Sequence, residues 1–246
     1  IKIGGSVMFI SDDSKPLKKS VTLQSGADFK NKYSCLKFLS YPKCKIKDVN
    51  VLPLDTVDYK VDGITLLQKP VESLWYKNFY NLKDGTPFEA TYRFNVSYVP
   101  SDSVYAMIEM AQNLDSVCVN GKPAVITDEI VSEYYDKCFS RVLLQNIKPG
   151  ENTICIKGKK CNNINGIGSH NRVPMGCEHN PTELETIYLC GNFCVANDGN
   201  GEYEIVSPAE YLRGSATFSG YPFYLGRISC AIGTVHGNEL IRADAK

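Results

Sequence analysis

Apolar and polar residues alternate without a break from residue 88 to residue 98. Phe88, Ala90, Tyr92, Phe94 and Val96 fall on one side, and Glu89, Thr91, Arg93, Asn95 and Ser97 on the other. A repeat of two residues belongs to a strand with one face buried, so a long strand is predicted here. Runs of similar character at 104–110, 116–119, 139–144, 153–157 and 186–195 predict further strands. Between two of them stands Asn120-Gly121, the pair that best tolerates the two positive φ angles of a type I′ hairpin turn. Pro149-Gly150 turns the chain again, into Asn-Thr-Ile-Cys-Ile156. Nearer the start, 5–10 and 33–39 read as strands whose neighbours are not evident from sequence.

Breakers divide these strands into three parts. Residues 1–49 form the tail of a preceding domain or an N-terminal extension. Residues 50–198 hold the coherent strand pattern, and Asn197-Asp-Gly-Asn-Gly201 closes it. Residues 199–246 are too few for a second sandwich and form an extension or a partial one. The stretch 159–182, rich in Asn, Gly, His and Pro, is a long loop of the functional or mobile kind. Recurrent strands separated by Pro, Gly, Asn and Asp favour an all-β chain over alternating βαβ units.

Composition narrows the functions. The 27 basic and 27 acidic residues among 246 cancel, so no long-range field gathers polyanions, and nucleic acid is not an expected partner. No apolar run approaches the ~20 residues that span a bilayer, and the first residues lack the features of a secretory signal. The chain does not begin with Met, so it is read as a processed product or a piece of something longer. Ten cysteines without a compact framework are expected to be mostly reduced, small buried hydrophobes, as in a cytosolic or anaerobic setting. The local candidates for a bridge are Cys190 with Cys194 and Cys161 with Cys177.

Several segments, in this order, carry a family likeness. They are Asn50-Val-Leu-Pro-Leu-Asp55, Tyr59-Lys-Val-Asp-Gly63, Val117-Cys-Val-Asn-Gly-Lys122, Ile147-Lys-Pro-Gly-Glu-Asn-Thr-Ile154, Ile187-Tyr-Leu-Cys-Gly-Asn-Phe193 and Gly220-Tyr-Pro-Phe-Tyr-Leu-Gly226. With them, residues 50–230 resemble the C-terminal, non-catalytic region of multidomain glycoside hydrolases of the β-galactosidase-like or α-L-rhamnosidase-like kind. The resemblance implies an antiparallel jelly-roll β-sandwich of galactose-binding-like type, flanked by strands from neighbouring domains. It also implies an accessory role, either holding a glycan or shaping a cleft built by other domains of the parent hydrolase. The family's catalytic barrel is absent from this sequence.

Candidate chemistry follows from residue type. A sugar site pairs an aromatic platform with a few polar groups, and Trp75, Tyr76, Tyr80, Tyr134, Tyr135 and Asp136, with Glu133 adjacent, offer such a set. Core or interdomain packing is the competing reading of the same aromatics. Hydrolysis needs two carboxylates at a defined separation in one cleft. Glu183 and Glu185 alternate and would share a face, but a solvated sheet edge explains them equally, so no catalytic residue is assigned. Cys161, His170, Cys177 and His179 do not match the spacing of structural zinc sites. Asn197, Asp198 and Asn200 make a turn, with a structural calcium as the alternative, and no other cofactor is expected. The expected function is therefore an accessory carbohydrate-binding module, with a purely structural interdomain module and an independent glycosidase as the alternatives.

Overall fold

A computed structural model describes residues 43–127, 139–161, 182–197, 202–213 and 215–231. The expected strands at 5–10 and 33–39 lie outside these residues. The chain divides into two compact units, one of Ile46–Arg227 and one made from the two ends of the chain. In the latter, strand β1 (Lys43–Ile46) pairs with β15 (Ile228–Ala231), and a disulfide joins Cys44 to Cys230.

The larger unit contains, in chain order, β2 (Asn50–Leu54), β3 (Thr56–Val61), β4 (Ile64–Pro70), the short helix α1 (Val71–Leu74), β5 (Pro87–Val96), β6 (Tyr105–Glu109), β7 (Ser116–Val119), β8 (Lys122–Pro123) and β9 (Val125–Thr127). After these come β10 (Phe139–Leu143), β11 (Gly150–Lys159), β12 (Ile187–Gly191), β13 (Cys194–Asn197) and β14 (Tyr203–Val206). One sheet has the order β2-β12-β6-β10-β9. The other runs β13-β14-β5-β11-β7-β8, with β3 on β5 and β4 on β3. Apart from β14, which lies parallel to the end of β5, the described pairings within this unit are antiparallel.

The alternation read from the sequence is what joins the sheets. Phe88, Ala90, Tyr92, Phe94 and Val96 of β5 are buried and meet Val57 and Tyr59 of β3, Ile154 and Ile156 of β11 and Val117 and Val119 of β7. The same core takes in Leu52 and Leu54 of β2, Ala106 and Ile108 of β6, Val142 of β10, and Ile187 and Leu189 of β12. Two sheets sharing one apolar layer make the unit an all-β sandwich. The opposite face of β5 is polar, and Arg93 there bridges Asp58 at 2.8 Å and Glu151 at 3.0 Å.

The run 186–195 is two strands about a Gly-Asn-Phe turn, with β12 in the first sheet and β13 in the second. The chain turns between them at Asn192 and Phe193, where Phe193 is buried and its carbonyl accepts a hydrogen bond from Asn50 Nδ2 at 2.9 Å. Strands that pass from one sheet to the other form corners of this kind. The expected local cysteine bridges are not found among the described residues: Cys190 and Cys194 are buried on different sheets with no disulfide between them, and Cys161 carries no disulfide, while Cys177 lies outside the described residues. Cys194 is held otherwise, since Ala209 N donates to its sulfur at 3.2 Å.

Candidate functional site

The chain leaves β4 through Pro70 into α1, then tightens into a single π-helical turn, Trp75–Phe79. Val71, Leu74 and Phe79 are buried and anchor the segment, with Phe79 packed edge-to-face on Phe88 at 5.0 Å. The Tyr80 amide donates to the Trp75 carbonyl at 2.8 Å. That i to i+5 bond defines the π-turn and brings together side chains that an α-helix would place on different faces. As a result the Tyr80 ring centroid lies 5.2 Å from that of Trp75, at an interplanar angle of 43°. Tyr76 meets Trp75 edge-on at 4.9 Å. Tyr76 and Tyr80 are 65% and 60% exposed, so two rings face solvent around a half-buried indole.

Carboxylates approach this triad from a distant part of the chain. Thr182 is buried, accepts a hydrogen bond from Cys161 N at 2.9 Å and donates one to the Lys159 carbonyl at 3.0 Å. The Tyr92 hydroxyl donates to the Glu185 carbonyl at 2.8 Å. These bonds fix 182–186 against the end of β11 and the middle of β5. Leu184 points into the core, which leaves Glu183 and Glu185 outside it. Trp75 Nε1 then donates to Glu183 Oε2 at 3.3 Å.

Charge is concentrated here. Desolvation raises the Glu185 carboxyl above the ordinary carboxylate range, and the nearby charges of Glu183 and Glu72 raise it further. Lys160, whose ammonium stands 4.2 Å from the centre of the Phe79 ring, is lowered by burial, and Glu183 opposes that shift. The arrangement supplies exposed aromatic faces and carboxylate oxygens that accept hydrogen bonds, while the Lys160 ammonium is buried against Phe79. Rings of this kind can stack on an apolar face, and the carboxylates can accept hydrogen bonds.

The structure brings Trp75, Tyr76, Tyr80, Glu183 and Glu185 together. Tyr134, Tyr135, Asp136 and Glu133 lie outside the described residues, as do His170, Cys177, His179, Asp198 and Asn200. Among the described residues no group of three His, Cys, Asp or Glu is placed to hold a metal ion. Glu72 and Lys160 join the site without having been singled out in the sequence, and only tertiary proximity marks them. A separate open groove of about 310 Å³ lies between the β5–β6 and β10–β11 connections, lined by residues that include Val99, Asp102, Ser103, Leu143, Gln145 and Ile147. There Asp102 already accepts a hydrogen bond from Asn192 Nδ2 at 3.0 Å.

Compared with known proteins, the chain matches no family model, no curated protein and no solved structure. The likeness to glycoside hydrolase C-terminal regions therefore stands on the sequence segments alone.

Proposed function

We propose that this protein is a non-catalytic carbohydrate-binding module, a jelly-roll sandwich of galactose-binding-like type that serves a glycoside hydrolase. The observation that carries this reading is the grouping of Tyr76 and Tyr80 around Trp75, with the indole donating to Glu183. A sugar ring stacks its C–H face on the exposed tyrosines while its hydroxyls donate to Glu183 and Glu185. The sandwich supplies rigidity, because the β5 and β11 ends that hold the site are core strands. Binding is non-covalent, and no residue is assigned a catalytic role.

The test is titration calorimetry of galactosides, rhamnosides and plant oligosaccharides. Contacts with an aromatic ring are worth roughly 0.5–1.5 kcal/mol, so Tyr76→Ala and Tyr80→Ala should each weaken binding about two- to tenfold. Saturable binding that both variants leave unchanged would place the sugar elsewhere.

One observation favours a second reading, a structural interdomain module. Phe218 and Leu225 are 91% and 100% exposed, and exposed large apolar groups mark docking surfaces when they form a patch. On this reading Phe218→Asp and Leu225→Asp lower the binding of a hydrophobic dye and leave glycan affinity untouched. Dye binding equal to wild type in both variants would remove the support for it.

A further inference from the structure

Cys118 on β7 and Cys155 on β11 are directly opposed in the antiparallel register, and both are free. Their neighbours along each strand, Val117, Val119, Ile154 and Ile156, are buried in the core. The two thiols therefore belong to the other face of the eight-stranded sheet, where they are only half-buried. This is the polar face, and Lys157 bridges Glu89 there at 2.9 Å. The expectation that free cysteines act as small core hydrophobes suits Cys190 and Cys194 but not this pair.

Geometry favours a bond between them. Directly opposed residues of an antiparallel pair have Cα atoms roughly 4.5 or 5.5 Å apart, and disulfides span Cα separations of roughly 4.4–6.8 Å. The Cα separation of either kind of pair lies within that range, and the Cβ atoms, about 4.5–5.5 Å apart in such pairs, close by up to about 1 Å to reach the roughly 3.5–4.5 Å of a disulfide. Both Cβ atoms leave the same face, as bridging requires. Cys155 stands between Thr91 of β5, with which it is hydrogen-bonded, and Cys118 of β7; burial pushes its thiol up, the Thr91 hydrogen bond opposes that, and Cys118 adds a small further rise.

We propose that Cys118 and Cys155 are an oxidisable cross-strand dithiol, a modification site that a small external disulfide of the glutathione type converts to an intrachain bridge. One thiolate attacks the external disulfide, forming a mixed disulfide and releasing one glutathione thiolate. The opposed thiolate then attacks the protein sulfur of that mixed disulfide and releases the second. The protein loses two protons and two electrons, the external disulfide is reduced to two thiols, and one S–S bond forms as one breaks. The bridge ties the β7–β8 hairpin, at the edge of its sheet, to the long strand β11.

The experiment treats the folded full chain with oxidised glutathione, quenches with acid, and maps cysteine-containing peptides by mass spectrometry. The expected result is a Cys118–Cys155 linked peptide lighter by two hydrogens. Cys118→Ser and Cys155→Ser should each leave the remaining thiol as a single glutathione adduct. Separate adducts on both residues of the wild type with no linked peptide would overturn the proposal. So would inertness of both thiols in the folded chain when both react after unfolding.

Discussion

At the scale of single residues, buried polar side chains act as connectors. Asn152 on β11 is fully buried and accounts for each of its hydrogen-bonding atoms. Its Nδ2 donates to the carbonyls of Lys148 at 2.7 Å and Gly150 at 2.9 Å. Its Oδ1 accepts from Lys148 N at 2.9 Å and Asn120 Nδ2 at 2.8 Å. Removing it strands several partly buried groups, so Asn152→Ala should destabilise by about 2–4 kcal/mol, measured as a shifted urea midpoint at unchanged slope. Asp48 is a connector of another kind, at the surface. It accepts from Arg227 Nη2 at 2.8 Å and Arg227 N at 2.6 Å, which are the main reasons its carboxyl is pushed down to about 2. An unfolded aspartate titrates near about 3.9, so the clamp's contribution is complete above about pH 4 and is lost as the pH falls through about 2. Across that window wild-type stability should fall more steeply than that of Asp48→Asn, as acid unfolding curves would record; equal slopes would contradict the assignment.

Among the elements, turns obey local chemistry and were legible, whereas changes of sheet were not. Asn120 and Gly121 have φ of +49° and +77°, and Val119 pairs with Lys122, which is the tight hairpin that Asn-Gly predicts. Asp62 and Gly63 repeat it between β3 and β4 with φ of +47° and +77°. That second hairpin obeys the same Asp-Gly rule, although Tyr59–Gly63 was read only for its family likeness and not as a turn. A left-handed residue with a Cβ costs about 1–2 kcal/mol, so Gly121→Ala should lower stability by that amount in thermal unfolding. The change of sheet within 186–195 was not legible, because Ile187, Leu189, Phe193 and Val195 are buried on both sides of the turn and apolar patterning does not say which sheet receives a strand. The π-turn at Trp75 was equally silent, since it depends on how Phe79 and Leu74 seat in the core rather than on a local motif.

For the whole molecule, the sandwich was readable from alternation in β5 and β11, because a period of two reports directly on a buried face. The candidate site was only half readable. Its aromatics lie within six residues of one another, but the hydrogen bond from Trp75 to Glu183 spans 108 positions and exists only because β5 and β11 bring their ends together. The bridge between Cys44 and Cys230, 186 positions apart, was beyond sequence for the same reason, since spacing favours nearby partners. One property of the chain makes the central claim unusually direct to test. Trp75 is the single tryptophan, so its intrinsic fluorescence reports on the proposed site alone. Titration with oligosaccharides should shift or quench that emission saturably, with a midpoint moved to higher concentration by Tyr80→Ala. Calorimetric sugar binding with no change in Trp75 emission, or no response to galactosides, rhamnosides and plant oligosaccharides in either measurement, would contradict it.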